Sequence, residues 1–198
     1  MILDGDHNYY TVSEELRLIG ERAKGGELPL LLFHDVCWPH GRRDDYFAPE
    51  LIPEEYLQPI AGNGHGIFPG EPGVRSGGVP CPRSAAHEGG PRNGVLTAIE
   101  DFVADRDDLR LVVVPAFFGF GAVWHRGAPW SGDLAEILDP WDRNPLLERL
   151  ESNRVYHIAA GHQLYSQVIG LEQQASEQRR ELEGTRRALA EQEAVLQT

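Results

Sequence analysis

At 198 residues, 41% hydrophobic and 25% charged, the chain is long enough for one core-bearing domain and too apolar for wholesale disorder. Its 31 acidic against 18 basic side chains give a net charge of −13, so nucleic acid is a poor partner, because phosphate binding needs a basic face. Two cysteines, Cys37 and Cys81, exclude a disulfide framework or a four-thiolate zinc site on their own and fit a reducing cytoplasm.

The N-terminal Met1-Ile2-Leu3-Asp4 is apolar up to an acid, as a buried strand ending at Asp4 would be. Val12, Leu16, Ile19 and Ala23 recur at 4-3-4 spacing and predict a helix over 11–23, with Thr11 or Ser13 as its cap, Glu14 and Glu15 in its first turn and Gly25-Gly26 as its stop. Leu28 to Phe33 is an apolar run without alternation, the mark of a strand buried on both faces, and His34-Asp35 follow it. Strand, helix, strand with polar residues after each strand predicts an α/β domain with mostly parallel central strands.

From about 38 to 93 the pattern dissolves. Between Gly62 and Gly94, 15 of the 33 residues are Gly or Pro, a density that suits a functional lid or a disordered insert. Val95, Ala98, Ile99, Phe102 and Val103 then predict a helix over 94–106, and 109–118 and 120–126 predict a β-hairpin turning at Gly119. The longest apolar stretch, 111–124, is broken by Pro115, Gly119 and Gly121, so no membrane span is expected. A weaker, Pro-interrupted helical stretch covers 134–150, within a connecting segment over 131–162. From 163 to 198, Leu164, Val168, Leu171, Ala175, Gln178, Leu182, Thr185, Leu189, Gln192 and Leu196 recur at 4-3 spacing. That heptad pattern predicts a long helix that pairs with a second copy or another partner, and Gly170 and Gly184 weaken it.

Chemistry concentrates in Asp4-Gly5-Asp6-His7 and His34-Asp35. Both groups stand just past the C-terminal ends of predicted parallel strands, the edge at which open α/β sheets bind ligands. If the strands are neighbours, Asp4 and Asp35 offer hard oxygens to a divalent cation, with His34 or His7 as a softer ligand or a base. The alternative is structural: Asp4 and Asp6 cap the following helix and His34 bonds locally. Cys37 is read as a buried small hydrophobe rather than a reactive thiol.

Leu3-Asp4-Gly5-Asp6-His7-Asn8-Tyr9, Val12, Leu16 and Leu31-Leu32-Phe33-His34-Asp35 together resemble the second half of a class I S-adenosylmethionine-dependent methyltransferase. The bacterial group that also resembles macrocin-type sugar and natural-product O-methyltransferases is the nearest variety. The resemblance covers residues 1–127 without the Gly/Pro insert and implies a partial Rossmann-like sheet. In it the acid-Gly-acid-His segment ends strand four, His-Asp ends strand five, and a six-seven hairpin closes the domain. It implies S-adenosylmethionine as cofactor, a hydroxylated small molecule or sugar as acceptor, and Asp4, His34 and Asp35 at the positions of magnesium ligands; His7 is the candidate catalytic base, the alternative being a helix-start histidine bonded to backbone. His34 departs from the Asp-Asp or Asp-Asn that relatives carry.

The family's acid-x-Gly-x-Gly loop after strand one has no counterpart in this chain; Gly62-Asn63-Gly64-His65-Gly66 follows no predicted strand. The expectation is therefore a truncated chain that binds the cofactor weakly alone and is inactive by itself. Two other functions fit the same residues: a metal-dependent glycosyltransferase-like enzyme using acid-x-acid, and a non-catalytic remnant domain joined to a coiled coil.

Overall fold

The computed structural model describes residues 1–23 and 28–196, so the Gly25-Gly26 stop lies outside the described residues. A mixed four-stranded sheet runs in the order β1 (Ile2–Leu3), β2 (Leu31–His34), β6 (Phe120–His125), β5 (Leu109–Val114). β1 and β2 are parallel, with Leu3 opposite Phe33. The other two pairings are antiparallel, so the expectation of mostly parallel strands is corrected to a single parallel pair. The cause is the short connection: five residues separate β5 from β6, too few for a parallel crossover. β6 takes the inner place because Gly121 to Trp124 are all buried, whereas β5 carries Arg110.

Helix α1 (Tyr9–Arg22) and helix α2 (Val95–Val103) cover one face of the sheet. Val12 and Leu16 from α1 meet Ala98 and Ile99 from α2 over Leu31, Phe33, Val113 and Val123. The predicted 4-3-4 face is thus the buried one. The cap is not where the sequence suggested: Asn8, fully buried, accepts from the Thr11 amide at 2.8 Å and starts α1 at Tyr9. Asn is among the best capping residues, and its position before the apolar face outcompetes Thr11 and Ser13. On the other face, Val112, Ala122 and Trp124 pack under helix α3 (Ser131–Leu138), and the Trp124 indole N–H donates to Ser131 Oγ at 2.9 Å.

The Gly/Pro-rich segment is neither a loose lid nor patternless. It holds a short hairpin, β3 (Gly66–Ile67) with β4 (Val79–Pro80), and a buried polar frame. Asp44 Oδ1 accepts from the amides of Tyr9 and Gly94, both at 2.7 Å, and Oδ2 accepts from the Tyr46 hydroxyl at 2.9 Å. The Asp44 amide donates to Asn93 Oδ1 at 2.7 Å. Arg43, also fully buried, donates to the carbonyls of Ala85 and Pro72. Gly94 opens α2 at φ +90, and a Cβ there would lie 2.5 Å from the Arg42 Cα, so the packing of the segment on α2 requires glycine.

Helix α4 (Pro145–Leu196) is continuous, without a boundary near 163. Asn144 Oδ1 accepts from the amides of Leu146 and Leu147, and Pro145 sits in the first turn, where a missing N–H costs nothing. Glu151 fastens this helix to the β5–β6 turn by accepting from the amides of Phe117 and Phe118 at 3.1 and 2.7 Å, while the Arg154 guanidinium lies 4.3 Å from the Phe118 ring. Burial pushes the Glu151 carboxyl up, but Arg154 and the two amides outweigh it and hold it below its ordinary range.

Removing the Asp44 carboxylate strands two helix-terminal amides in a buried site. Asp44→Ala is expected to lower unfolding free energy by about 3 kcal/mol, and Asp44→Asn by less, since it keeps one acceptor oxygen. Urea unfolding of both variants checks this.

Candidate functional site

The C-terminal ends of β1 and β2 bring together all four side chains singled out in the sequence. His7 Nε2 lies 3.2 Å from Asp35 Oδ2 and 3.8 Å from Asp4 Oδ1. His34 Nδ1 lies 3.1 Å from Asp35 Oδ1 and 3.7 Å from Asp4 Oδ1. Two imidazoles therefore stand between two carboxylates. Asp35 reaches this place through a left-handed backbone, φ +56, which turns the chain sharply after β2 and which aspartate tolerates better than most residues.

These contacts are close but misaligned. His7 Nε2 and Asp35 Oδ1 are buried and have no hydrogen-bond partner, although each has an ionisable neighbour within 3.2 Å. The angles govern the strength of a hydrogen bond, so the short distances are read as electrostatic proximity. Two orphaned polar atoms at one sheet edge are hydrogen-bonding capacity that the described residues leave unused.

Neither Asp4 nor Asp6 caps α1, because Asn8 does; Asp6 supports that cap from behind. Its Oδ2 accepts from the Asn8 side chain at 2.6 Å and its Oδ1 from the Phe47 amide at 3.1 Å. Asp4 is more than half exposed and turns toward the histidines.

A magnesium ion needs near-octahedral oxygen donors at about 2.1 Å. Here the two Asp35 oxygens lie 3.2 and 3.1 Å from imidazole nitrogens of His7 and His34, and among the described residues no group of three or more His, Cys, Asp or Glu side chains is disposed to hold a metal ion. As they stand, Asp4, His34 and Asp35 do not form a magnesium ligand set. The geometry suits proton transfer instead, with imidazole nitrogens and carboxylate oxygens side by side.

Sequence reasoning missed His40 and the segment around Phe47. The His40 ring stacks on His7 with centroids 5.1 Å apart. A cavity of about 540 Å³ opens beside His7, lined by Asp6, Tyr10, Thr11, Asp45, Phe47, Leu51, Ile52 and Arg83 among others. The available signal was the dense run His40-Gly41-Arg42-Arg43-Asp44-Asp45, titratable residues directly after a strand end. A second cleft, of about 290 Å³, lies against Leu18, Ile19 and Pro29, away from these groups, and is more apolar.

Cys37 and Cys81 are unpaired. Burial pushes the Cys37 thiol up to about 11, with Glu151 and Glu148 adding to the shift, so it is a poor nucleophile. Among the described residues no helix is long and apolar enough to cross a membrane. Compared with family models, curated proteins and solved structures, the chain matches none.

Burial pushes the His40 pKa below the ordinary 6.5; His7 pushes it further down, while Asp45 and Asp35 pull it up. The unfolded chain then binds more protons at this ring than the folded one. Stability from neutral His40 is complete above pH 6.5 and is lost as pH falls toward the folded pKa. Urea midpoints between pH 7 and pH 5 should fall in the native chain and fall less in His40→Gln.

Proposed function

We propose that this chain is the acceptor-binding part of an S-adenosylmethionine-dependent methyltransferase, O-directed, that acts on a hydroxylated small molecule or sugar in the cytoplasm. The observation that carries the reading is the orphaned His7 Nε2, buried beside Asp35 at the C-terminal edge of two parallel strands, in a residue that also lines a cavity large enough for a sugar or an aryl ring. The strand order supports it. A parallel pair ended by Asp4 and by His34-Asp35, followed by a hairpin whose second strand joins β2, is the arrangement the resemblance implies for strands four to seven.

When bound, S-adenosylmethionine supplies an electrophilic methyl group. The residues of this chain do the rest of the work at the acceptor. The walls formed by Phe47, Leu51 and Ile52 hold its apolar body, and Asp6, Asp45 and Arg83 offer polar contacts at its rim. The acceptor hydroxyl donates to His7 Nε2, which takes the proton as the oxygen attacks. Asp35 and Asp4 stabilise the resulting imidazolium, and His40 holds the ring in place by stacking.

The cofactor side is not among the described residues. The link from β1 to α1 runs Asp4 to Asn8 with one glycine, and the space at Gly94 is filled by Arg42 and Gly41. No step is therefore assigned to a cofactor cradle or to a metal in this chain.

Calorimetry on this chain alone should give a dissociation constant for S-adenosylmethionine above about 1 mM. In a form that carries a glycine loop joined in frame, labelled methyl should pass to polyhydroxylated acceptors. His7→Gln should then lower kcat by roughly 100-fold or more with little change in the KM for S-adenosylmethionine, and Asp35→Asn should lower it less. Turnover of a nucleotide sugar instead, or transfer indifferent to His7→Gln, would overturn the reading.

A further inference from the structure

We propose that α4 pairs with the α4 of a second copy of the chain as an antiparallel coiled coil over residues 164–189. The inference is independent of the methyltransferase reading and rests on what one helix shows to solvent. Leu164, Val168, Leu171, Leu182 and Leu189 are 62, 52, 65, 52 and 54% exposed, one stripe at 4-3 spacing. Val155 and Ala159 are the buried residues of the same helix, on the side that docks against its own domain. At about 100° per residue the stripe lies roughly 120–180° around the helix from Ala159, so the domain leaves that face open to another helix.

The helix also needs support. Gly170 and Gly184 fall at the outward position before Leu171 and Thr185, where each weakens an isolated helix. A long helix whose leucines contact nothing gains little from its own domain, since most helical stability in proteins comes from packing an apolar face.

Charge and volume fit a second copy of the chain, and volume sets its direction. In heptad terms Val168, Ala175, Leu182 and Leu189 take position a, and Leu164, Leu171, Gln178 and Thr185 take position d. The leucines move from d to a across the midpoint between Ala175 and Gln178. Antiparallel packing sets a against d, so Leu164 faces Leu189 of the second copy and Leu171 faces its Leu182. Ala175 leaves room for Gln178 of the second copy, and the two glutamines meet near the twofold axis, where a polar pair fixes register. The flanking e positions meet their own kind in this direction, which puts Glu172 against Arg179 of the second copy, twice, and Tyr165 beside Arg186. A parallel pair would also match opposite charges, Glu181 with Arg186, but would set Ala175 against Ala175, Gln178 against Gln178 and Arg179 against Gln174, so the packing of the core positions favours the antiparallel direction.

Sedimentation velocity on the full chain from about 1 to 100 µM should show a species of twice the 22.1 kDa chain mass. Leu171→Gln with Leu182→Gln should raise the dissociation constant by at least roughly 100-fold, with the urea unfolding of the α/β domain unchanged. Arg179→Glu and Glu172→Arg should each weaken the dimer about fivefold or more, and the double exchange should restore it. A monomer at the highest concentration, a larger assembly, or a dimer indifferent to the leucine exchanges overturns the pairing. A leucine-dependent dimer without charge rescue overturns the antiparallel direction.

Discussion

Asp44 occupies the point at which three parts of the chain that are far apart in sequence must meet: the start of α1, the start of α2 and the segment between β2 and α2. Its carboxylate takes one amide from each helix and a hydroxyl from Tyr46. Free amides at helix N-termini carry partial positive charge, so one anion between two of them is favoured twice. The same burial that makes the bonds strong pushes the carboxyl above its usual range, against the pull of Gly94, Tyr9 and Tyr46. Without this anion, α1 and α2 would keep their apolar contacts and the exposed bond from the Tyr9 hydroxyl to Asp101 at 2.8 Å, but no buried polar link to fix their relative height, and apolar contacts are poor at specifying register.

That constraint explains how a segment with so many glycines and prolines is ordered. Few of its groups sit in ladders. Much of its order comes from side chains: Arg43 bonds to the carbonyls of Ala85 and Pro72 and Asn93 to those of His87 and Gly89, while the Ser84 hydroxyl donates to the Asp45 carboxylate at 2.6 Å. Side-chain to backbone bonds of this kind have no period. A sequence reading that relies on the spacing of apolar residues sees the 4-3-4 face of α1, the apolar face of α2 and the hairpin, all of which the fold contains. It cannot see Arg43 or Asp44, because a charged residue in a polar run looks like solvent-facing loop until its partners, up to fifty residues away, are in place. The start of α1 was missed for a related reason: Asn8, Thr11 and Ser13 are all competent caps, and burial of Asn8 decides among them. The four residues of the site were legible because strand ends of a parallel pair converge by topology alone. Their orientation was not, since Asp35 depends on a left-handed backbone that the sequence does not announce.

The long helix shows the opposite balance. Its heptad spacing is plain in the sequence, while its attachment is not. Glu151 and Arg154 look like ordinary surface charges at i, i+3, and bond one another at 2.6–2.7 Å. Their use lies across the molecule, where two amides at the β5–β6 turn have left-handed neighbours and no strand partner. Backbone amides of an irregular turn need an acceptor, and Glu151 is the one supplied. The helix thereby leaves the domain at a fixed point, with its buried face set by Val155 and Ala159.

The insert and the site are one mechanical unit. The Asp45 amide donates to the His7 carbonyl at 2.9 Å, the Phe47 amide donates to Asp6, and His40 stacks on His7. Residues 44–47 thus hold the segment between β1 and α1 in the shape that aims His7 at Asp35. The side chains of Phe47, Leu51 and Ile52 form the wall of the cavity, and the polar frame runs through none of these side chains. Phe47 and Leu51 are largely exposed. Two demands are therefore divided between neighbouring stretches of one segment. Arg43, Asp44 and Asn93 are fixed by buried bonds whose loss would disturb the placement of His7, whereas Phe47, Leu51 and Ile52 can change size and polarity while the polar frame stays intact. Variation in what the cavity accepts is physically cheapest at those three positions, because they meet a ligand before they meet the core.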